Sequence, residues 1–232
     1  DYGRSRGLGD VYKRQAIDSV SDKAKIIAGT GTYSTSESIE ITKMADSLGV
    51  DGIMIVTPYY SKPSQHGILR HFEEISKITD LPIMAYNIPG RTSTLIELET
   101  LQTLVDDIGI HSIKDAVGDF EFSKKQLELL KDKADIYSGN DNQTYDFVIN
   151  GGVGVVSVAS HVVGDEISEM ISFAKDNDLE KAEEINMKLS NLFEAIFEEP
   201  SPGPIKKILS ESWEEVGEPL LPITSITPVS YT

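Results

Sequence analysis

The feature that most constrains this chain is an alternation of two hydrophobic periods. Short apolar runs, bounded by turn residues, recur at residues 25–29 (KIIAG), 52–57 (GIMIVT), 82–87 (PIMAYN), 110–114 (IHSIK), 135–139 (DIYSG) and 154–158 (GVVSV). They begin roughly 20 to 30 residues apart, and stretches with helical spacing fill the intervals. Residues 36–48 open with Ser/Glu capping chemistry and stop at Gly49. Further helices are predicted over 64–78, after Pro63, and over 96–105, 122–130, 141–150 and 165–175. Strands that are apolar on both faces and alternate with helices predict an α/β fold built on a parallel sheet. After Asp178 the alternation ends, and helices are predicted over 179–196 and 204–215 around the stiff segment 200–204.

The polar residues choose between two parallel-sheet folds. Thr30, Thr57-Pro58-Tyr59-Tyr60, Tyr86-Asn87, Lys114-Asp115, Ser138-Gly139-Asn140-Asp141 and Ser157 all fall at C-terminal strand ends. A (β/α)8 TIM barrel gathers those ends around one mouth, where its active site lies. A dinucleotide-binding sheet would need G-x-G-x-x-G after its first strand. Gly29-Thr30-Gly31 is only a fragment of that, and Gly151-Gly152-Val153-Gly154 precedes a strand. The expectation is therefore a TIM barrel with about six of its eight strands present, over residues 16–177, followed by a helical region over 178–227.

The ends differ in composition from the rest. Residues 1–15 carry a net charge of +2, against -17 for the whole chain. Residues 5–15 (SRGLGDVYKRQ) read as one frame of a transposon-type sequencing adapter, and Val229-Ser230-Tyr231-Thr232 as its opposite strand. The native segment is expected to run from about Ala16 to Thr227, with 1–15 and 228–232 foreign, as an internal piece of a longer gene. The acidic balance disfavours nucleic acid as a partner, because like charge repels a phosphate backbone. With no cysteine, disulfides, zinc–thiolate sites and a cysteine nucleophile are excluded, which fits a cytoplasmic protein. No apolar run approaches the roughly 20 residues of a membrane-spanning helix, so no membrane partner is expected.

Lys114 ends the run Ile110-His111-Ser112-Ile113. An ammonium turned inward there loses hydration, which favours the neutral amine, and a neutral amine can attack a ketone to form a Schiff base. The bland alternative is a lysine that reaches solvent beside Asp115. Tyr86 supplies a hydroxyl at another strand end and could relay protons. Arg91, five residues later, could clamp a carboxylate with two parallel hydrogen bonds. Singly, the tyrosine is more often a satisfied packing residue, the arginine a solvated loop residue, and Tyr59-Tyr60 packing residues.

Together these segments resemble one family. TPYYSKPSQHG (57–67), AYNIPGRT (85–92), IKDAVGD (113–119), YSGND (137–141) and GGVGVVSV (151–158) are similar to the dihydrodipicolinate synthase family of pyruvate-dependent class I aldolases and lyases. The resemblance runs in order from about Lys25 to Thr227. It implies a (β/α)8 barrel with a C-terminal helical region, usually assembled as a homotetramer of two dimers. By matching position it implies that Lys114 carries the pyruvate imine, that Tyr86 is the proton relay beside it, and that Tyr60 enters a neighbouring subunit's relay. It implies that Arg91 holds the aldehyde substrate's carboxylate, and that Gly139 and Val156 line the pyruvate pocket. Positions that bind feedback lysine in the family fall on Tyr33, Glu37 and Tyr59. Where inhibited relatives carry an asparagine this chain has Tyr33, so weak lysine feedback is expected. The family's Gly-Thr-Thr-Gly-Glu motif does not occur in this sequence, His161 stands where asparagine is frequent, and Glu199-Pro200-Ser201-Pro202-Gly203-Pro204 varies a usual Asn-Pro-Ile-Pro.

The expected activity is condensation of pyruvate with L-aspartate 4-semialdehyde in lysine biosynthesis. Arg91 favours it over sialic acid lyases, which resemble one another in lacking an arginine there. Two alternatives stand beside it: another pyruvate aldolase or lyase acting on a sugar acid, and a non-catalytic barrel. No metal or cofactor is expected. His66, His71, His111 and His161 show no ligand spacing with carboxylates, and imine chemistry needs no Lewis acid.

Overall fold

A computed structural model of the chain describes residues 19, 20 and 23–226. The two adapter-like segments, 1–15 and 228–232, lie outside the described residues, as do residues 16–18 and Thr227 at the expected native ends. Six strands are hydrogen-bonded in chain order: β1 (Ile27–Gly29), β2 (Gly52–Val56), β3 (Ile83–Asn87), β4 (Ser112–Asp115), β5 (Asp135–Ser138) and β6 (Gly154–Val155). The resolved pairs are parallel, as the alternation requires. The chain forms two compact units, Asp1–Ile136 and Tyr137–Thr232.

In the first unit, helices α1 (Thr35–Ser47), α2 (Gln65–Ser76), α3 (Pro89–Thr92), α4 (Leu98–Asp106) and α5 (Phe120–Leu129) follow the strands. α1 starts one residue before the predicted boundary. Ser34 is its N-cap and accepts from Glu37 N at 3.5 Å. The capping box stays half-formed, because Ser34 N donates to Thr32 Oγ1 instead. At the other end Leu48 caps the helix and Gly49 takes φ 76°, a left-handed turn that glycine enters at no steric cost. Gly31 has a different reason. A Cβ there would stand 2.4 Å from Val56 N, so only glycine lets the β1–α1 loop pass against β2.

The central strands alternate, except that Met84 in β3 is buried on the other face. Ile53, Ile55, Ile83, Ala85 and Ile113 are buried and lie on the same side as the buried helical residues Ile68, Phe72, Ile75, Leu101 and Leu104. The opposite face is less covered, and Met54, Val56, Tyr86, Ser112 and Lys114 are half-buried along it. The sequence places β4 at 110–114; the strand runs Ser112–Asp115. Ile110 N bonds Leu104 O, so that residue still closes the turn after α4. α3 was not expected, since AYNIPGRT reads as a turn; Arg91 N and Thr92 N both bond Ile88 O and wind one helical turn there.

In the second unit a 3₁₀ turn (Asp141–Gln143) precedes α6 (Thr144–Ile149), where a single helix over 141–150 was expected. Helices α7 (Ser160–Lys175), α8 (Leu179–Ala195) and α9 (Gly203–Ser212) follow β6. α7 is kinked at Val163 (φ -134°, ψ 39°), so a short turn precedes a regular helix that starts near the predicted 165. β6 is shorter than predicted, and Asp141 accounts for the short strand and for the turn that follows it. Its buried carboxylate accepts from Ser157 Oγ, from Val158 N at 3.1 Å and from Ala159 N at 3.2 Å. These bonds draw residues 157–159 out of strand geometry and into the start of α7. Ile167, Leu189, Phe193, Ile196 and Ile205 form this unit's core. Among the described residues no helix is long and apolar enough to cross a membrane.

Candidate active site

Strand register builds the site. Val56 pairs with Tyr86 and Tyr86 with Lys114, one row across three neighbouring strands. All three project from the less covered face, and all stand at C-terminal strand ends. One residue further on, Asn87 pairs with Asp115, and pleating sends both to the helix-covered face.

The Lys114 amine lies over the ring of Tyr86, 4.1 Å from its centroid. That is cation–π geometry, in which the negative ring face attracts the ammonium. The Tyr86 backbone is held on its other side, because Thr57 N and Thr57 Oγ1 both donate to the Tyr86 carbonyl at 3.0 Å. Burial pushes the Tyr86 phenol pKa up, while the Arg91 guanidinium pulls it down. The hydroxyl therefore stays protonated at neutral pH and can act as a donor.

A concavity of about 410 Å³ opens beside Val56 and Tyr86, and Met54, Tyr59, Arg91 and Thr92 are among its other lining residues. Arg91 is exposed at the rim, in the last turn of α3. The structure thus brings Tyr86, Lys114 and Arg91 together. It also brings Tyr33 against Tyr59, edge to face with centroids 5.7 Å apart. Glu37 sits in the first turn of α1, after the loop that carries Tyr33. Tyr60 turns away from packing: it is 91% exposed, with φ 67°. A tyrosine held in left-handed backbone and left in solvent is a costly arrangement for a residue that only fills space.

Gly139 and Val156 belong to the second unit, where they are close neighbours. Val156 N donates to Ser138 O at 2.9 Å, and Ser138 Oγ bridges to the backbone of Asn140. Asp141, which sequence reasoning left unassigned, fixes the following segment 157–159. Its place at a strand end was the available signal. Among the described residues, no group of three His, Asp or Glu side chains is placed to hold a metal ion.

Parallel strands alternating with helices, with polar side chains at the C-terminal strand ends, define an α/β chain of the (β/α)-barrel enzyme class. The particular family follows from comparison. The chain belongs to the dihydrodipicolinate synthetase family, whose sequence pattern matches residues 12–231. It is 41% identical over 214 residues to the 4-hydroxy-tetrahydrodipicolinate synthase of Desulforudis audaxviator, covering 92% of this chain and 73% of that protein. It is 46% identical over 207 residues to the synthase of Thermosynechococcus vestitus, covering 89% and 70%. The crystal structure of dihydrodipicolinate synthase from Thermotoga maritima superposes with a TM-score of 0.92 at 33% identity, covering 95% of this chain and 76% of that one.

Proposed function

We propose that the protein is a 4-hydroxy-tetrahydrodipicolinate synthase, a lyase that joins pyruvate to L-aspartate 4-semialdehyde in lysine biosynthesis through an imine on Lys114. The observation that carries this is the Lys114 amine over the Tyr86 ring, 4.1 Å from its centroid, at the open end of β3 and β4. The relatives of that name, at about 40% identity over most of the chain, support the substrate pair.

In this reading the Lys114 amine adds to the pyruvate ketone carbon. Loss of water from the carbinolamine gives a cationic imine, which withdraws electrons from the adjacent methyl. Loss of a methyl proton gives an enamine, whose carbon bonds to the aldehyde carbon of the second substrate while the aldehyde oxygen takes up a proton; the imine on Lys114 re-forms, and attack on its carbon by water or by the product's own amine releases the lysine. Tyr86 donates and recovers protons at the imine. Arg91 holds the aldehyde substrate's carboxylate at the rim. The scheme calls for no metal or organic cofactor. The exposed, strained Tyr60 supports a homo-oligomer, in the family's pattern of a dimer of dimers, in which a second copy covers it. The absence of cysteine supports work in the cytoplasm.

Trapping tests the reading. Borohydride with pyruvate should add one reduced pyruvate to the protein mass, on the peptide that contains Lys114. Lys114→Ala should abolish the adduct, and Lys114→Arg should do the same because a guanidinium stays protonated. Labelling that persists in folded Lys114→Ala would remove Lys114 from the chemistry.

A further inference from the structure

Lys114 and Asp115 are adjacent in sequence and face opposite sides of β4. The Asp115 carboxylate does not turn toward the lysine. Oδ1 accepts from Val117 N at 2.9 Å, and Oδ2 lies 2.9 Å from Ser123 Oγ in α5. Asp115 is 1% exposed, and burial raises its pKa. A buried carboxylate held by neutral donors costs stability, and what it supplies in return here is geometry.

Only residues 116–119 connect β4 to α5, and nearly every link is braced. Ala116 N donates to Asn87 O. Gly118 takes φ 82°. Asp119 caps α5 by accepting from Glu121 N and Phe122 N. The register partner of Asp115 has a matching task, since Asn87 bonds both the N–H and the carbonyl of Ile96 at 3.0 Å. Tyr86 and Lys114 are thus each followed by a buried polar residue whose side chain pins the segment after its strand.

We propose that Asp115 is a positioning residue for Lys114: its carboxylate braces the end of β4 against α5 and so holds the amine over Tyr86. The proposal rests on Lys114 being the imine-forming residue, and the test separates the two. Asp115→Asn keeps an acceptor for Val117 N–H. Its amide donates to Ser123 Oγ while that hydroxyl turns to the Asp119 carbonyl, 3.2 Å away. Asp115→Ala loses both bonds, and Ser123→Ala removes one.

Two readouts are compared in variants that retain the parent's circular dichroism. The first is the pyruvate concentration for half-maximal borohydride trapping. The second is the pH profile of Lys114 acetylation by acetic anhydride, relative to the exposed Lys62. Asp115→Ala should raise the first about tenfold and move the second away from the parent's. Asp115→Asn should stay near the parent, and Ser123→Ala should fall between. If Asp115→Ala does not fold, Ser123→Ala carries the comparison. Unchanged readouts in the folded variants overturn the proposal, as does a loss in Asp115→Asn equal to that in Asp115→Ala. If the parent itself is not trapped by pyruvate, the imine reading fails, and the acetylation profile alone decides whether Asp115 positions Lys114.

Discussion

Arg91 illustrates how much a single residue's place decides. It stands exposed on a one-turn helix whose entry is fixed by Pro89 and whose exit turns through Ser93 at φ 57°. Its guanidinium is near enough to Tyr86 to pull down the phenol pKa, yet it is not in the strand row. That separation predicts a division of labour. Arg91→Ala should leave pyruvate trapping on Lys114 intact while kcat/KM for the aldehyde falls by about 2–3 kcal/mol of transition-state binding, the scale of a hydrogen bond to a charged group. Equal loss in both steps, measured by trapping yield and initial rates, would reject the division. The strand-end places of Tyr86 and Lys114, and the Pro-Gly turn before Arg91, were readable in the sequence, while their proposed roles came from the family resemblance. The orientation of Asp115 was not readable. The sequence shows this residue only as the neighbour of Lys114; the pleat turns it to the other face, where it bonds Val117 N and Ser123 Oγ.

At the scale of elements, their types were readable from period, because a buried parallel strand and an amphipathic helix leave different patterns, and strand order followed from the polar residues at the strand ends. The boundaries that moved did so for local reasons that periodicity does not carry. Asp141 ends β6 by binding the backbone of 158 and 159. The Ile88 carbonyl winds α3 out of what reads as a turn. The pair Gly29 and Gly31 shows the same limit, since sequence presents them as equivalent parts of a G-x-G fragment. A Cβ at Gly29 would meet nothing within 4 Å, whereas one at Gly31 would strike the β2 backbone. Gly31→Ala should therefore cost at least about 2 kcal/mol, lowering Tm by roughly 4–8 °C, while Gly29→Ala should leave Tm nearly unchanged. Thermal melts of the two variants side by side make the comparison.

For the whole molecule, acid is the informative stress. His71 is 4% exposed, its Nδ1 lies 2.9 Å from Thr35 Oγ1, and burial lowers its pKa from 6.5 to about 4. Between those values the unfolded chain binds a proton that the folded chain refuses. Stability should therefore fall as pH drops from about 6.5 toward 4, by up to about 3 kcal/mol for this one group. Asp115 acts in the opposite sense. Its raised folded-state pKa favours the folded form as it protonates, and relief of the net charge of -17 near the pI of about 4.6 adds to that. Urea unfolding of the parent and of His71→Gln between pH 7 and 4.5 isolates the histidine: the parent should show the steeper acid loss. The row Val56–Tyr86–Lys114 has its own molecular consequence. It exists only because three strands keep count with one another, and a single residue gained or lost within β3 or β4 would turn Tyr86 or Lys114 into the helix layer. Lineages of this protein are thus free to lengthen or shorten the loops at its rim, but between residues 83 and 87 and between 112 and 115 they inherit an integer.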